Sequence, residues 1–215
     1  MEPKSTPKSE WQTVKHAWAY LARADKLPHR TEGEKTLLDQ ILPETKRVLD
    51  LGTGNGRLLA LIKLKNPSVE GVALDFSDPM IEQAKLRFEN DNQVTIFKHD
   101  FNLPLPKELG YFDAIVSSLS IHHLTDGRKK QLYTEIFNLL NSKGVFCNLE
   151  HVSSATNNLH LKFLAAIDLT PETEDLSNKL FDVETQLHWL RQIGFLDVDC
   201  YWKWLELALL VGVKP

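Results

Sequence analysis

The residues able to do chemistry in this 215-residue chain stand at the ends of short apolar runs. The first group is Asp50-Leu51-Gly52-Thr53-Gly54-Asn55-Gly56-Arg57. Alternate glycines let backbone approach a ligand closely, and the helix that opens after them offers free N–H groups. Asp75 closes the next apolar run, roughly 20 residues on, where a carboxylate can accept hydrogen bonds from both hydroxyls of a ribose. A dinucleotide fingerprint has its third glycine where this chain has Arg57, so the spacing is Gly-x-Gly-x-Gly instead. Loop and acid, in this order within one strand–helix–strand unit, point to a nucleoside cofactor. The second group is His122 and His123 after one apolar run, with Glu150 and His151 after another. A histidine or glutamate there could take a proton from an oxygen or nitrogen, which makes His122, Glu150 and His151 the catalytic candidates. The same histidines could instead hydrogen-bond a neighbouring loop. The eight histidines form no ligand pattern with Cys147, Cys200 or paired carboxylates, and no metal site is expected.

These residues need elements to hold them. Arg47–Leu51, Val69–Leu74, Val94–His99, Phe112–Ser118 and Val145–Leu149 read as strands, with helical periodicity over Arg57–Lys65, from Asp78, over Gly127–Asn141 and over Val183–Ile193. Thr31-x-x-Glu34 is a capping-box pattern opening a helix that Pro43 ends, and Asp78-Pro79 reads as N-cap and first helical residue. Apolar strands alternating with helices mean a parallel sheet covered on both faces. The runs Leu196–Tyr201 and Leu205–Val213 are spaced as an antiparallel hairpin that closes it. The stretch 153–182 is helical in composition and interrupts the alternation as a cap. The expected fold is α/β, a doubly wound Rossmann-like, mostly parallel seven-stranded sheet with an antiparallel C-terminal hairpin and a helical cap. Residues 1–30 are expected to form a tail and helical lid, with a helix over Trp11–Ala24, and residues 31–215 the main domain with its insertion at about 153–182. Trp202 and Trp204 lie on one face of the hairpin, where packing on a helix is expected rather than stacking on a base.

Four ordered motifs over about residues 34–150 resemble the class I S-adenosylmethionine-dependent methyltransferases. Asp50-x-Gly-x-Gly-x-Gly is similar to that family's first motif, Leu74-Asp75-Phe76-Ser77 with Pro79-Met80 to the second, His99-Asp100-Phe101 to the adenine-contacting position, and Phe112–Val116 with Ser117–Leu124 to the fourth. Asn141-Ser142-Lys143-Gly144 departs from the usual Pro-Gly turn. The resemblance implies S-adenosylmethionine as cofactor and S-adenosylhomocysteine as product. It implies that Gly52, Thr53 and Gly54 lie against the methionine part, with Asp50 shaping the loop. It implies further that Asp75 holds the ribose, Phe76 and Met80 pack on the adenine, Asp100 and the backbone at Phe101 read its edge, and Ser117 lines the methionine side. Taken singly, Phe76, Met80 and Phe101 also read as ordinary core. Arg30 could pair with the cofactor's carboxylate, and Trp11, Trp18, Tyr20 and Arg23 could belong to the cover.

Composition bounds the rest. Hydrophobic residues at 42% and charged residues at 25% are globular values, which exclude disorder and fibres. The formal net charge of −4 leaves no basic footprint for a nucleic acid. Met1–Glu10 has no apolar core for a signal peptide, and no run approaches the roughly 18 apolar residues of a membrane span. A soluble cytoplasmic enzyme transferring a methyl group to a small molecule is expected. The alternatives are a tRNA-modifying methyltransferase, a non-catalytic cofactor-binding protein, transfer of a modified group from an altered cofactor, and an NAD-dependent oxidoreductase, which Arg57 disfavours.

Overall fold

The β-branched and leucine-rich runs form a seven-stranded sheet: β1 (Arg47–Leu51), β2 (Glu70–Asp75), β3 (Val94–Lys98), β4 (Phe112–Ser118), β5 (Leu140–His151), β6 (Leu196–Trp204) and β7 (Leu207–Val213). The structure, a computed structural model, describes residues 27–215; the expected helix over Trp11–Ala24, with Trp18, Tyr20 and Arg23, lies outside them. The helices are α1 (Arg30–Asp39), α2 (Arg57–Lys65), α3 (Asp78–Arg87), α4 (Asp126–Leu139), α5 (Asn157–Ala166) and α6 (Val183–Ile193). Strand order is β3-β2-β1-β4-β5-β7-β6, with β7 antiparallel to both β5 and β6 and every other pair parallel. The chain leaves β1 toward β2 and β3, then returns to lay β4 on β1's other side. Sheets that reverse in this way open a crevice at the carboxyl ends of the strands flanking the reversal. No helix among the described residues is long and apolar enough to cross a membrane.

Side-chain alternation builds two layers. Leu49, Leu51, Val72, Leu74 and Ile115 join one core with Leu132, Tyr133 and Ile136 of α4 and Leu187 and Leu190 of α6. Val48, Ala114, Val116 and Cys147 join the other, with Leu37 of α1 and Leu58 and Ile62 of α2. A Cβ built on Gly33 would stand 2.9 Å from the Trp202 ring, so α1 rests directly on that tryptophan. Trp204 lies 6.1 Å from Phe163 of α5 and 4.6 Å from the His29 ring, centroid to centroid. Both tryptophans pack against helices, as the alternation implies.

Three local expectations change. The capping box at Thr31 does not form: α1 starts one residue earlier behind His29, whose φ is 60°, with no side-chain cap. Glu34, which should reach back to the N-cap, is buried between Arg30 and Arg57, and two guanidinium groups outcompete one backbone N–H for its carboxylate. The N-cap of α3 is Ser77 rather than Asp78. Finally, the 153–182 stretch is helical only over Asn157–Ala166. Asp168 turns to φ 56°, Pro171 follows, and the chain continues in turns to α6.

The cap is fastened to the sheet by a buried carboxylate. Glu206, in the two-residue turn between β6 and β7, is 0% exposed and accepts from His151 Nε2 and from His160 Nδ1 of α5, each at 3.0 Å. His160 Nε2 then meets Glu174 at 3.2 Å. Burial alone would raise the Glu206 carboxyl, but bonds from His151, Ser154 and His160 more than offset this and hold it below its ordinary value of 4.5. A depressed carboxylate contributes stability that is complete above its unfolded value and is lost as pH falls through the folded one. His160 has the opposite sign: burial lowers it, the Glu206 and Glu174 partners outweigh that, and its contribution is lost as pH rises through the raised value. Glu206→Gln should therefore flatten the fall in melting temperature below about pH 4.5, which differential scanning fluorimetry across pH will read.

Candidate active site

The turn after β1 is shaped by its glycines. Gly52, Gly54 and Gly56 have φ of 70°, 56° and 79°, the left-handed region that costs other residues about 1–2 kcal/mol. Gly52 and Thr53 donate N–H bonds to Leu74 O at 2.9 and 3.0 Å, tying the turn to the end of β2. At Gly52 a Cβ would lie 1.9 Å from Ser120 Oγ. Gly52→Ala should thus lower stability by the left-handed penalty plus about 1–3 kcal/mol of overpacking. Adding Ser120→Gly should recover the second part, measured by urea unfolding.

Two acids stand under this turn. Asp50, 1% exposed, accepts from Thr53 Oγ1 at 2.6 Å. Burial, against the Thr53 bond and helped by the Asp75 charge, pushes its carboxyl up to about 7. Asp75 at the end of β2 is also raised by burial; its Oδ1 accepts from Ser77 N at 2.9 Å and its Oδ2 from Gly54 N at 2.8 Å. A carboxylate has about four lone-pair sites, so room remains for two hydroxyl donors.

Around these acids lies a narrow cleft of about 70 Å³. Phe76, Met80 and Phe101 form its apolar wall, and Asp50, Gly52, Thr53, Gly54 and Asp75 its polar floor. Arg30 is the first residue of α1 and also lines the cleft; its Nε donates to Glu34 Oε1 at 2.8 Å. Arg57 lines it too, and grips the same carboxylate with Nε at 3.0 Å and Nη2 at 2.9 Å. Two guanidinium groups thus converge on one carboxylate beside the cleft. The spacing of the glycine turn had singled out Arg57 only as a missing glycine.

Two of the expected cofactor residues sit elsewhere. Ser117 is fully buried, and its hydroxyl donates to Leu51 O at 2.8 Å, stitching β4 to β1 rather than facing the cleft. One residue along, strand alternation turns Ser118 inward, and its Oγ is buried without a hydrogen-bond partner among the described residues. Asp100 is exposed and closes a local turn onto Asn102, taking its N–H and its Nδ2 at 2.9 Å each, outside the cleft lining.

A second cavity, of about 360 Å³, adjoins the first. Leu119 and His123 line both. Leu119 itself has φ 55°, an uncommon conformation for a leucine and one held where the two spaces meet. His122 and His151 line the cavity, while Glu150 lies behind His122 at 1% exposure. His122 Nδ1 and Glu150 Oε1 are 2.6 Å apart. Burial pushes the Glu150 carboxyl up to about 7, against a bond from His151 N, and holds the His122 imidazole well below its usual range. Burial therefore favours the neutral form of both. Behind Glu150, Asn148 Nδ2 reaches its Oε2 at 3.4 Å and Tyr133 Oη at 3.2 Å, and Tyr133 donates to Gln186 Oε1 at 2.7 Å. His151 is differently placed: Nε2 is engaged by Glu206, and its ring lies 5.0 Å from Phe163. Its geometry is that of an anchor for the cap.

The cleft's lining suits a nucleoside carrying an amino-acid tail: a carboxylate at the end of β2, glycine backbone, an apolar wall, two arginines and the buried hydroxyl of Ser118. Comparison with known proteins agrees. A family model described as a methyltransferase domain matches residues 48–144. The chain is 24% identical over 198 residues to a carboxy-S-adenosyl-L-methionine synthase of Desulfotalea psychrophila, covering 83% of this chain and 80% of that protein. An uncharacterized methyltransferase of Anoxybacillus flavithermus is 36% identical over 115 residues, 53% of this chain and 51% of its own. Among solved structures, human N-acetylserotonin methyltransferase in complex with SAM superposes with a TM-score of 0.67 at 17% identity, over 95% of this chain and 57% of that one. That likeness is one of fold. The matched residues 48–144 hold the glycine turn, Asp75 and the end of β4, so the comparisons support a class I S-adenosylmethionine-dependent methyltransferase domain around this cleft, a family that uses S-adenosylmethionine.

Proposed function

We propose that the chain transfers a methyl group from S-adenosylmethionine to a small molecule held in the 360 Å³ cavity beside the cleft. The observation that carries this is the wall shared through Leu119 and His123, which puts an acceptor space directly against the cofactor space. When bound, the cofactor supplies a methyl group on a positively charged sulfur that leaves as a neutral thioether. The chain's residues do the rest. Asp75 would accept the ribose hydroxyls, Gly52, Thr53 and Gly54 would present backbone to the amino-acid tail, and Asp50 would brace that turn. Phe76, Met80 and Phe101 would flank the adenine, and Ser118 would take the lining role expected of Ser117. Arg30 would pair with the tail's carboxylate. At about 70 Å³ the cleft is well below the roughly 300 Å³ of a pocket that encloses a drug-sized ligand, so binding entails outward movement of its side chains.

On the acceptor side, His122 lines the cavity and Glu150 holds its Nδ1. With Glu150 ionised, Nδ1 carries the proton and Nε2 can receive one from an O–H or N–H acceptor. Holding acceptor and cofactor in line across the shared wall can itself lower the barrier by up to about 7–11 kcal/mol. The relative named as a carboxy-S-adenosyl-L-methionine synthase motivates a second reading, in which the group handled is a carboxylated methyl. Against it, no Lys or Arg among the described residues lines the cavity.

Titration with S-adenosylhomocysteine, followed by a metabolite-extract screen with methyl-labelled S-adenosylmethionine, tests the proposal. Saturable binding and label in a small-molecule product are expected. Label recovered only in RNA, or a carboxymethylated cofactor by mass spectrometry, would overturn it.

A further inference from the structure

The buried polar residues behind Glu150 form a chain of hydrogen bonds that runs one way. Gln186 of α6, 1% exposed, sends its Nε2 to Phe181 O at 3.0 Å. A carbonyl only accepts, so reversing the Gln186 amide would set oxygen against oxygen. Its Oε1 therefore faces Tyr133 of α4 and takes the hydroxyl proton at 2.7 Å. Burial pushes the Tyr133 hydroxyl up, so it keeps the single proton it gives to Gln186. With that proton spent, Tyr133 Oη is left to accept, and Asn148 of β5 turns Nδ2 toward it at 3.2 Å. The same Nδ2 faces Glu150 Oε2 at 3.4 Å. Asn148 Oδ1 is buried with no hydrogen-bond partner among the described residues, so the amide is oriented from the Tyr133 side.

The chain ends on a carboxylate surrounded by donors. His151 N reaches Glu150 Oε1 at 2.9 Å, and Asn148 Nδ2 lies at Oε2. Among the hydrogen-bond partners of Glu150, only His122 Nδ1, at 2.6 Å, could accept a proton from it. Donors on both oxygens favour the ionised carboxylate, which then holds the His122 proton on Nδ1. Nε2 has no hydrogen-bond partner among the described residues and is the nitrogen left to receive a proton.

We propose that Gln186, Tyr133 and Asn148 are positioning residues for the methyl transfer: the one-way chain from Phe181 O to Glu150 fixes which nitrogen of His122 carries the proton. The inference rests on His122 acting as the base of the proposed reaction. The other groups that act on this pair are His123, His151, Asp175 and Lys129, whose ammonium is bound to Lys179 O. All of them stay in place in the variants that test it.

Long-range proton–nitrogen correlation spectra of the full chain labelled with 15N-histidine read the tautomer of each ring, and His122→Asn assigns its signals. In the parent chain His122 should pass from the Nε2–H to the Nδ1–H form through about pH 7, as Glu150 ionises. Tyr133→Phe removes the hydroxyl and keeps the ring beside Phe146, while Gln186→Leu removes the anchor of that hydroxyl. Each frees the Asn148 amide to turn its oxygen toward Glu150. Each should therefore move the midpoint up by about one pH unit, a tenfold change on the scale of one long hydrogen bond to a charged group. Gln186 makes no hydrogen bond with Glu150 or His122, so a merely structural role would leave the midpoint where it was. A midpoint unmoved in either folded variant, or a parent His122 with one tautomer on both sides of about pH 7, overturns the inference. The extract screen with methyl-labelled S-adenosylmethionine reads the underlying function separately. Shifted midpoints with no labelled product would uphold the chain of bonds and sink the methyl transfer; labelled product with unmoved midpoints would do the reverse.

Discussion

His122→Ala should lower turnover by about 10²–10⁴-fold, the range over which a positioned general base contributes, while S-adenosylhomocysteine affinity changes less than twofold. The reasoning is positional. His122 lines the larger cavity and not the cleft, and its Nε2 has no hydrogen-bond partner among the described residues. Glu150 sets when that nitrogen can act. With its carboxyl pushed up to about 7, the ionised form that fixes the Nδ1 proton and frees Nε2 accumulates only above that pH. The rate with an O–H or N–H acceptor should therefore climb through about pH 7, and Glu150→Gln should abolish that rise while retaining the fold. The linkage has a second face. Because the folded value is raised, the stabilisation tied to protonated Glu150 is full below 4.5 and lost as pH rises toward about 7. Glu150→Gln should consequently be as stable as the parent chain, or more so, above pH 7 by thermal melting. Loss of cofactor binding in either variant, with turnover per bound cofactor unchanged, would move these residues to the other side of the wall.

Asp75→Ala has the second largest expected effect, a loss of about 1–3 kcal/mol in S-adenosylhomocysteine binding, or roughly five- to over a hundredfold in Kd. The carboxylate is doubly employed, which complicates a simple deletion. Its oxygens already take the Gly54 and Ser77 N–H groups, so alanine leaves those donors without their acceptor as well as removing the ribose partner. Asp75→Asn separates the two contributions: one oxygen remains for the backbone, while the charge and one acceptor are lost. Calorimetry of both variants, with circular dichroism to verify folding, should show asparagine losing part of the affinity and alanine losing more. Unchanged affinity in a folded Asp75→Ala protein would remove the ribose from this position.

How far the sequence led can be judged from neighbours. Ser117 and Ser118 are adjacent serines at the end of β4, and no composition argument separates them. Which one faces the ligand depends on the strand's pleat, and the pleat is set by pairing with β1 that only the assembled sheet displays. Asp100, expected at the adenine edge, closes a turn for a related reason: an acid two residues before Asn102 can satisfy itself locally, and that competition is short-range and invisible to motif spacing. The glycine turn and Asp75 were legible because their demands are backbone demands, written in residue type and in the interval between strands. Strand and helix order followed from apolar periodicity for the same reason. The Arg30–Glu34–Arg57 cluster was not legible as a unit, since its members come from two helices whose contact is tertiary. Glu34 had a plausible local partner, and a distant one prevailed.

The turn carrying Glu206 follows every strand but β7, yet it supplies the peg on which α5 hangs over the larger cavity. During synthesis the nucleoside-gripping half is complete long before that peg is made. A nascent chain halted before residue 205 would own a cofactor crevice with no closed vestibule beside it. The crevice and its roofed neighbour thus arrive at separate moments, and the later one depends on β6 and β7 pairing.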